Sequence, residues 1–338
     1  MVYGKKRPFL LGLVLLLVAA CGQPAATQVP AQLPTAVVAL STPVVQPPAA
    51  PSAAPAATLP PAPTVVPSPT VAQSWRFVVL GDTRTEGLNP PDVTYAIVKQ
   101  AAAAQPAIVL AVGDLINALS TPDEVRQQWQ NWRAAVAPLG QAATTTPWLL
   151  PTPGNHDVQS GDWATGLLTE AFPELPANGP PGLERRAYSV DYGGVRFVSL
   201  DSEQRTQMHL LDDAQLAWLE AQLRDNPGHA AIVFSHDPAY PVGPHVGSSL
   251  DVYPKARDRL WALLKQYGAV YFAGHEHLYN HQIVDGAHQI IAGTSGSFVY
   301  GGFGGEFYHY VVGEVSANAI TFVVYDQNGQ ERDRFTVP

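Results

Sequence analysis

Five short apolar runs in this chain, at residues 77–80, 108–112, 148–150, 231–234 and 270–272, each lead directly into polar residues that can hold a cation or a proton. The junctions read Gly81-Asp82, Gly113-Asp114, Gly154-Asn155-His156, Ser235-His236 and Gly274-His275-Glu276-His277. Runs of this length bounded by turn residues predict buried strands. Helical patterns lie between them, so the chain reads as a layered α/β fold, in which the carboxyl ends of the strands form the edge where ligands bind. Four of the five junctions carry a glycine before the first polar residue, which permits a tight turn and close backbone approach. Ionisable groups beside buried strands are costly unless paired or metal-bound. Five such junctions therefore point to a site rather than to packing.

The rest of the pattern fills in around these strands. Residues 212–224 place Leu216, Leu219 and Leu223 on one helical face, with Asp212 and Gln215 at capping-box spacing. Residues 255–267 repeat the pattern with Leu260, Leu263, Leu264 and Tyr267, and stop at Gly268. Two β-rich passages remain, 188–201 turning at Gly193-Gly194 and 307–337 turning near Asn328-Gly329. No internal repeat is visible.

Composition divides the chain at residue 74. All 28 acidic residues lie beyond it, as do all basic ones except Lys5, Lys6 and Arg7, leaving 16 basic against 28 acidic residues and a net charge of −12. Such a body repels the phosphate backbone of duplex nucleic acid, which excludes it as a partner. Residues 1–20 read as a secretion signal, with Lys5-Lys6-Arg7 followed by an apolar run from 9 to 20 that is too short for a comfortable membrane span. The run ends in Val18-Ala19-Ala20-Cys21, which resembles a bacterial lipobox and implies that Cys21 is lipidated and anchors the protein to the outer side of a membrane. The alternative is an ordinary signal peptide with an incidental thiol. From Cys21 to residue 74 the chain is almost wholly Pro, Ala, Thr, Val, Gln and Ser, and reads as a semi-stiff disordered tether. Residues 75–338 are long enough for one sizeable core.

Two aspartates, an amide and three histidines suit borderline divalent metals such as Zn, Mn and Fe, and exceed the needs of one tetrahedral ion. Asp82, Asp114, Asn155-His156-Asp157, His236 and His275-Glu276-His277, in this order over about residues 75–294, resemble the calcineurin-like metallophosphoesterase family. That resemblance implies a four-layer αββα sandwich with two mixed β-sheets and a centre of two divalent ions. It implies that Asp114 bridges the ions, that Asp82 and His277 bind the first, and that Asn155, His236 and His275 bind the second. His156 would contact the phosphate or protonate the leaving group. Two ions about 3.5–4 Å apart clamp phosphate oxygens and acidify a bridging water for in-line attack, so the expected activity is hydrolysis of a small-molecule phosphomonoester or phosphodiester at the cell surface.

Two positions depart from the family's commonest pattern. Arg84 stands where many members have a histidine ligand, and a guanidinium cannot ligate a cation; it either grips a substrate phosphate or is a loop charge. Asn117 stands where purple acid phosphatases have tyrosine and Ser/Thr phosphatases have aspartate; it either orients His156 or caps a loop. These departures motivate the competing function, a surface-tethered phosphate- or metal-binding module with weakened turnover. His245 and His281 are expected on surface loops with the substrate cleft as the alternative, whereas His209, His229, His288 and His309 are expected in ordinary polar roles and Asp201 as a structural turn residue. The glycine-rich passage 293–305 lacks a P-loop's spacing and reads as a flexible loop.

Overall fold

The computed structural model describes residues 74–119, 121–140, 147–226 and 230–338. The expectations for the signal segment, Cys21, the tether and His229 fall outside these residues. In chain order the described elements begin with β1 (Trp75–Leu80), α1 (Asp92–Ala101), β2 (Ile108–Ala111), α2 (Pro122–Val136), β3 (Leu149–Pro151), α3 (Asn155–Val158) and α4 (Asp162–Ala171). Then follow β4 (Tyr188–Tyr192), β5 (Val195–Ser199), α5 (Asp213–Arg224), β6 (Ala230–Phe234), α6 (Pro254–Tyr267) and β7 (Val270–Ala273). The last strands are β8 (Tyr279–Val284), β9 (Ala287–Ala292), β10 (His309–Val315), β11 (Ile320–Asp326) and β12 (Glu331–Val337).

The strands form two mixed six-stranded sheets, ordered β12-β11-β10-β1-β2-β3 and β4-β5-β6-β7-β9-β8. Side-chain alternation assigns the layers. On β6, Ile232 and Phe234 join the large core between the sheets, while Ala231 and Val233 join a second core with Leu216, Leu219 and Leu223 of α5 and Leu260 and Leu264 of α6. Phe77 of the first sheet meets Phe197 of the second edge-on at 5.4 Å, and Phe322 lies 5.5 Å from Phe272 across the same layer. Trp129 and Trp132 of α2 and Ile97 of α1 belong to the large core on the first sheet's side. The result is the expected sandwich of two sheets between helices.

Local chemistry explains the helix ends. Asp212 accepts the Gln215 amide at 2.8 Å and starts α5. The Gln215 side chain does not close a capping box; it exchanges two hydrogen bonds with the backbone of Asp201. Gly268, at φ 64°, ends α6. Helix α2, not among the expected elements, starts with a complete box between Thr121 and Glu124 and a proline in its first turn.

The topology sets the site. β1, β2 and β3 run parallel in aligned register, as do β5, β6, β7 and β9 in the other sheet, so the carboxyl ends of each set share an edge. Thr152 donates to the Leu200 carbonyl at 2.6 Å and Tyr188 to the Pro151 carbonyl at 2.7 Å, tying the two edges together.

Candidate metal centre

All six expected ligands meet where the two edges touch. The Asp82 carboxylate accepts the His275 N–H at 3.1 Å and lies 3.4 Å from Nε2 of His277. Nε2 of His236 lies 3.1 Å from Oδ1 of Asn155, 3.2 Å from Nδ1 of His275 and 3.4 Å from Oδ1 of Asp114. The donors thus fall into two groups that adjoin at the aspartates. Asp82, Asp114 and His236 place one ligand atom each within 4.8 Å of one another.

Backbone carbonyls fix which nitrogen of each histidine faces this centre. Nδ1 of His236 donates to the Val112 carbonyl at 2.9 Å, and Nδ1 of His277 to the Phe298 carbonyl at 2.9 Å, so each turns Nε2 inward. His275 is reversed: Nε2 donates to the Ser248 carbonyl at 2.9 Å and Nδ1 faces inward. Two inward lone pairs, on His236 and His275, therefore stand 3.2 Å apart with no proton assigned between them. That contact is repulsive unless a cation or a proton sits against both.

Electrostatics point the same way. Burial pushes Asp82 well above its ordinary range, and Asp114 adds to this. Burial also opposes ionisation of Asp114, but His236, His156 and Arg84 outweigh it and hold that carboxyl down. Burial holds His277 down to about 4, and holds His275 well below its ordinary range with help from His236. Burial opposes the charge on His236 too, but Asp114 and Asp82 outweigh it and raise that imidazole, so without a cation the centre is balanced by protons on its own ligands. The set fits divalent cations of the imidazole- and oxygen-binding kind.

The remaining expected site residues adjoin this centre. The His156 N–H donates to Oδ1 of Asp114 at 2.9 Å, and the His156 ring, partly exposed, turns Nε2 to within 4.0 Å of Oδ2. Nδ1 of His156 lies 3.2 Å from Oδ1 of Asn117, whose amide donates to Glu86 at 2.7 Å. That fixes the Asn117 oxygen toward the ring and leaves Nε2 on the side of the centre. Nε of Arg84 lies 3.3 Å from Oδ2 of Asp114, so the guanidinium occupies a flank of the shared carboxylate. Asp157 and Glu276 turn away and act on loops. Asp157 accepts the amides of Leu115, Ile116 and Gly154, and Glu276 accepts those of Gly243 and His245.

Several residues differ from their sequence expectation. His245 does not lie free on a loop: its ring packs 4.0 Å from that of His275, and Nε2 lies 2.9 Å from the Tyr300 hydroxyl. Tyr300 stacks on His277 at 4.5 Å. His209 is not an isolated polar residue either. Its Nδ1 lies 2.8 Å from buried Asp237, whose Oδ1 is 3.7 Å from Nε2 of His275 on that ring's outer side, where Nε2 already gives its proton to the Ser248 carbonyl. The only sequence signal for this was Asp237 directly following a ligand, which is too common a pattern to read alone. His281 lies in strand β8, stacked 3.7 Å from Phe335 and 3.0 Å from His288. His309, buried on β10 against Thr294, and Asp201, which accepts the Glu203 amide at 2.9 Å and pairs with Arg186, keep the structural roles expected of them. The glycine-rich passage is not loose: Ser295, Ser297 and Tyr300 donate their amides to the carbonyls of Gly81, Asp82 and His277.

Residues 76–279 match the family described as calcineurin-like phosphoesterase. A glycerophosphodiester phosphodiesterase, GpdQ, of Enterobacter lignolyticus is 30% identical over 177 residues, 51% of this chain and 56% of that protein, so the chain spans less than two thirds of that relative. Among solved structures, a purple acid phosphatase from yellow lupin (Lupinus luteus) seeds superposes with a TM-score of 0.62 at 18% identity, covering 78% of this chain and 53% of that one. A dimetal phosphatase from Danio rerio superposes with a TM-score of 0.56 at 13% identity, covering 78% of this chain and 98% of that one. These two likenesses concern the fold.

Proposed function

Because the chain belongs to the calcineurin-like phosphoesterase family, we propose that it hydrolyses a phosphate ester at a centre of two divalent cations. Asp82, Asp114 and His277 would hold one, and Asp114, Asn155, His236 and His275 the other. The observation that carries this reading is the convergence of inward lone pairs from His236, His275 and His277 on two buried carboxylates, each ring fixed by a backbone carbonyl. Such a pair of ions neutralises phosphate oxygens and acidifies water for in-line attack.

The side chains complete the chemistry. His156, held through Nδ1 by Asn117, presents Nε2 to the leaving oxygen and gives it a proton. Burial, opposed by Asp114, keeps its imidazole below the ordinary range, so its protonated form is a ready donor. Arg84 directs donors beside Asp114, where a non-bridging phosphate oxygen would lie. The name of the bacterial relative makes a phosphodiester the first ester class to assay.

The test is metal-dependent turnover. Protein stripped by a chelator and reloaded with Mn, Zn or Fe should hydrolyse a nitrophenyl diester or monoester, and His156→Ala should lower kcat by roughly 10²–10⁴-fold with metal content unchanged. Metal binding without turnover of either ester class would overturn the enzyme reading and favour the binding module, which Arg84 beside the shared carboxylate motivates. The resemblance of Val18-Ala19-Ala20-Cys21 to a bacterial lipobox supports a reading in which lipidated Cys21 anchors the protein to the outer side of a bacterial membrane. Retention of full membrane association by Cys21→Ala would overturn that placement.

A further inference from the structure

We infer that Gln159 is a second positioning residue for His156, and that with Asn117 it fits the site to esters of aliphatic alcohols, whose leaving oxygen must take up a proton. The inference rests on the proposed hydrolysis and names its substrate class.

Gln159 follows the one-turn helix α3 and is half-buried. Its side-chain amide donates to Oδ1 of Asn117, and its Nε2 lies 3.1 Å from Nδ1 of His156 and 3.3 Å from the His156 carbonyl. The neighbours dictate this orientation. Asn117 gives its own amide to Glu86 at 2.7 Å, so its oxygen faces Gln159, and a reversed Gln159 would set two carbonyl oxygens against each other. Oδ1 of Asn117 also lies 3.2 Å from Nδ1 of His156. The far nitrogen of the ring is therefore met by one acceptor and one donor, from two different segments of chain.

Those segments are tied to each other. The Ala118 N–H donates to the His156 carbonyl at 3.0 Å, and the Ser160 hydroxyl donates to the Ala118 carbonyl. From a third loop, Arg205 donates to the Gln159 carbonyl at 3.2 Å. A glutamine that merely ended a helix would turn its amide to water. This one keeps three protein partners within 3.3 Å, and two of them belong to His156.

Holding the far side of the ring matters through what the near side does. Nε2 stands on the side of the centre, 4.0 Å from Oδ2 of Asp114. As the bond from phosphorus to the leaving oxygen breaks, its electron pair stays on that oxygen, which takes the Nε2 proton. The ring is left neutral, with its remaining proton on Nδ1 where Asn117 accepts it, and water supplies the new bond to phosphorus. A nitrophenolate leaves with less need of that proton, whereas an alkoxide is a far stronger base and leaves poorly without it.

The test uses the metal-loaded protein and two pairs of esters: methyl phosphate carrying 4-nitrophenyl or ethyl as the second group, and the monoesters 4-nitrophenyl phosphate and ethyl phosphate. Within each pair the quantity read is the ratio of kcat for the ethyl ester to kcat for the nitrophenyl ester. Gln159→Leu and Gln159→Met keep the bulk and lose the amide, and each should lower that ratio by about tenfold with KM and metal content unchanged. Because the ratio is taken within one variant, a general loss of turnover cancels. A ratio unchanged in both variants, or a fall that comes with loss of metal, would overturn the inference while leaving the hydrolase reading intact. So would an unaltered protein that turns over a nitrophenyl ester and neither ethyl ester. No turnover of any of the four would overturn both.

Discussion

Asp157 is the residue whose removal should most clearly separate holding the centre from doing its chemistry. Its buried carboxylate accepts the amides of Leu115 at 3.0 Å, Ile116 at 2.9 Å and Gly154 at 2.8 Å. Those amides flank Asp114 and Asn155, so one side chain fastens two ligand loops to each other. Asp157→Ala leaves three buried N–H groups without an acceptor, each costing about 1–3 kcal/mol, and water entering the vacated space recovers part of it. A net loss of roughly 3–5 kcal/mol follows, a large share of the usual stability of a domain. Asp157→Asn keeps both bonds at Oδ1 but turns an amide donor toward the Gly154 N–H, costing about 1–3 kcal/mol. At roughly 2–4 °C per kcal/mol for a domain of this size, the melting midpoint of the metal-free protein should fall by about 10 °C in the first variant and by about half that in the second. Metal affinity, read by calorimetric titration, should fall by about 10–100-fold because both loops lose their register. Asp123→Ala serves as the control, since Asp123 is exposed and makes only a surface ion pair with Arg126 at 3.0 Å. A Asp157→Ala protein that melts within about 2 °C of the unaltered one and binds metal equally well would refute the reasoning.

Three further outcomes are expected. His309 is buried with Nε2 unpartnered and is held down to about 4 by burial, against about 6.5 in the unfolded chain, so the unfolded chain binds the proton more readily between those values. Its contribution to stability should therefore be fully present above pH 6.5 and decline by roughly 3 kcal/mol as pH falls toward 4 in urea titrations, and His309→Phe should make the acid slope shallower by that amount while the other buried histidines keep theirs. Arg84→His restores a ligand type at the flank of Asp114 and should raise metal content measured after desalting; unchanged content would show that Arg84 is not what limits the first site. Asn117→Ala removes the acceptor at Nδ1 of His156 and should lower kcat by about tenfold with KM and metal content unchanged; a loss in KM instead would assign Asn117 to substrate binding.

How much of this was legible in the sequence depended on whether a signal is local. The five strand-to-ligand junctions, α5, α6 and the Gly193-Gly194 hairpin are written in contiguous residues, and each lies within a residue or two of its expected bounds. Helices α1 and α2 do carry a periodic apolar face, Ile97, Val98 and Ala101 in one and Val125, Trp129, Trp132 and Val136 in the other, so both were legible in contiguous residues, α2 also through its Thr121–Glu124 box. β8 and β9 were missed because they read as a half-polar hairpin, with His281 and His288 packed on Phe335 of a distant strand. The contacts of His245 and His209 are legible only in three dimensions. Neither has a neighbour in sequence that marks it, and each acquires its setting from a loop that folds back onto His275.

The junction glycines show where the sequence argument was right for an incomplete reason. A glycine before each ligand suggests that the glycine makes the turn. In the structure it is the ligands that take the left-handed backbone: Asp82, Asp114 and His275 have φ of 52°, 53° and 68°. Side chains other than glycine enter that region at a cost of about 1–2 kcal/mol each. Of the glycines before these ligands, Gly113 shares the positive φ at 84°, and all serve close approach. A Cβ on Gly274 would collide with Oδ2 of Asp82, and one on Gly154 with the backbone and carboxylate of Asp114. Two kinds of local expense therefore fall on consecutive residues, and both have the same result: carboxylates and imidazoles from two different sheets come within hydrogen-bonding distance of one another. Packing alone has no use for that result, because it gathers buried carboxylates and unshared lone pairs where each makes the others less stable. A cation makes it favourable, which is why Gly154→Ala should weaken metal binding even though no ligand is changed, and why a full metal complement in that variant would count against the centre described.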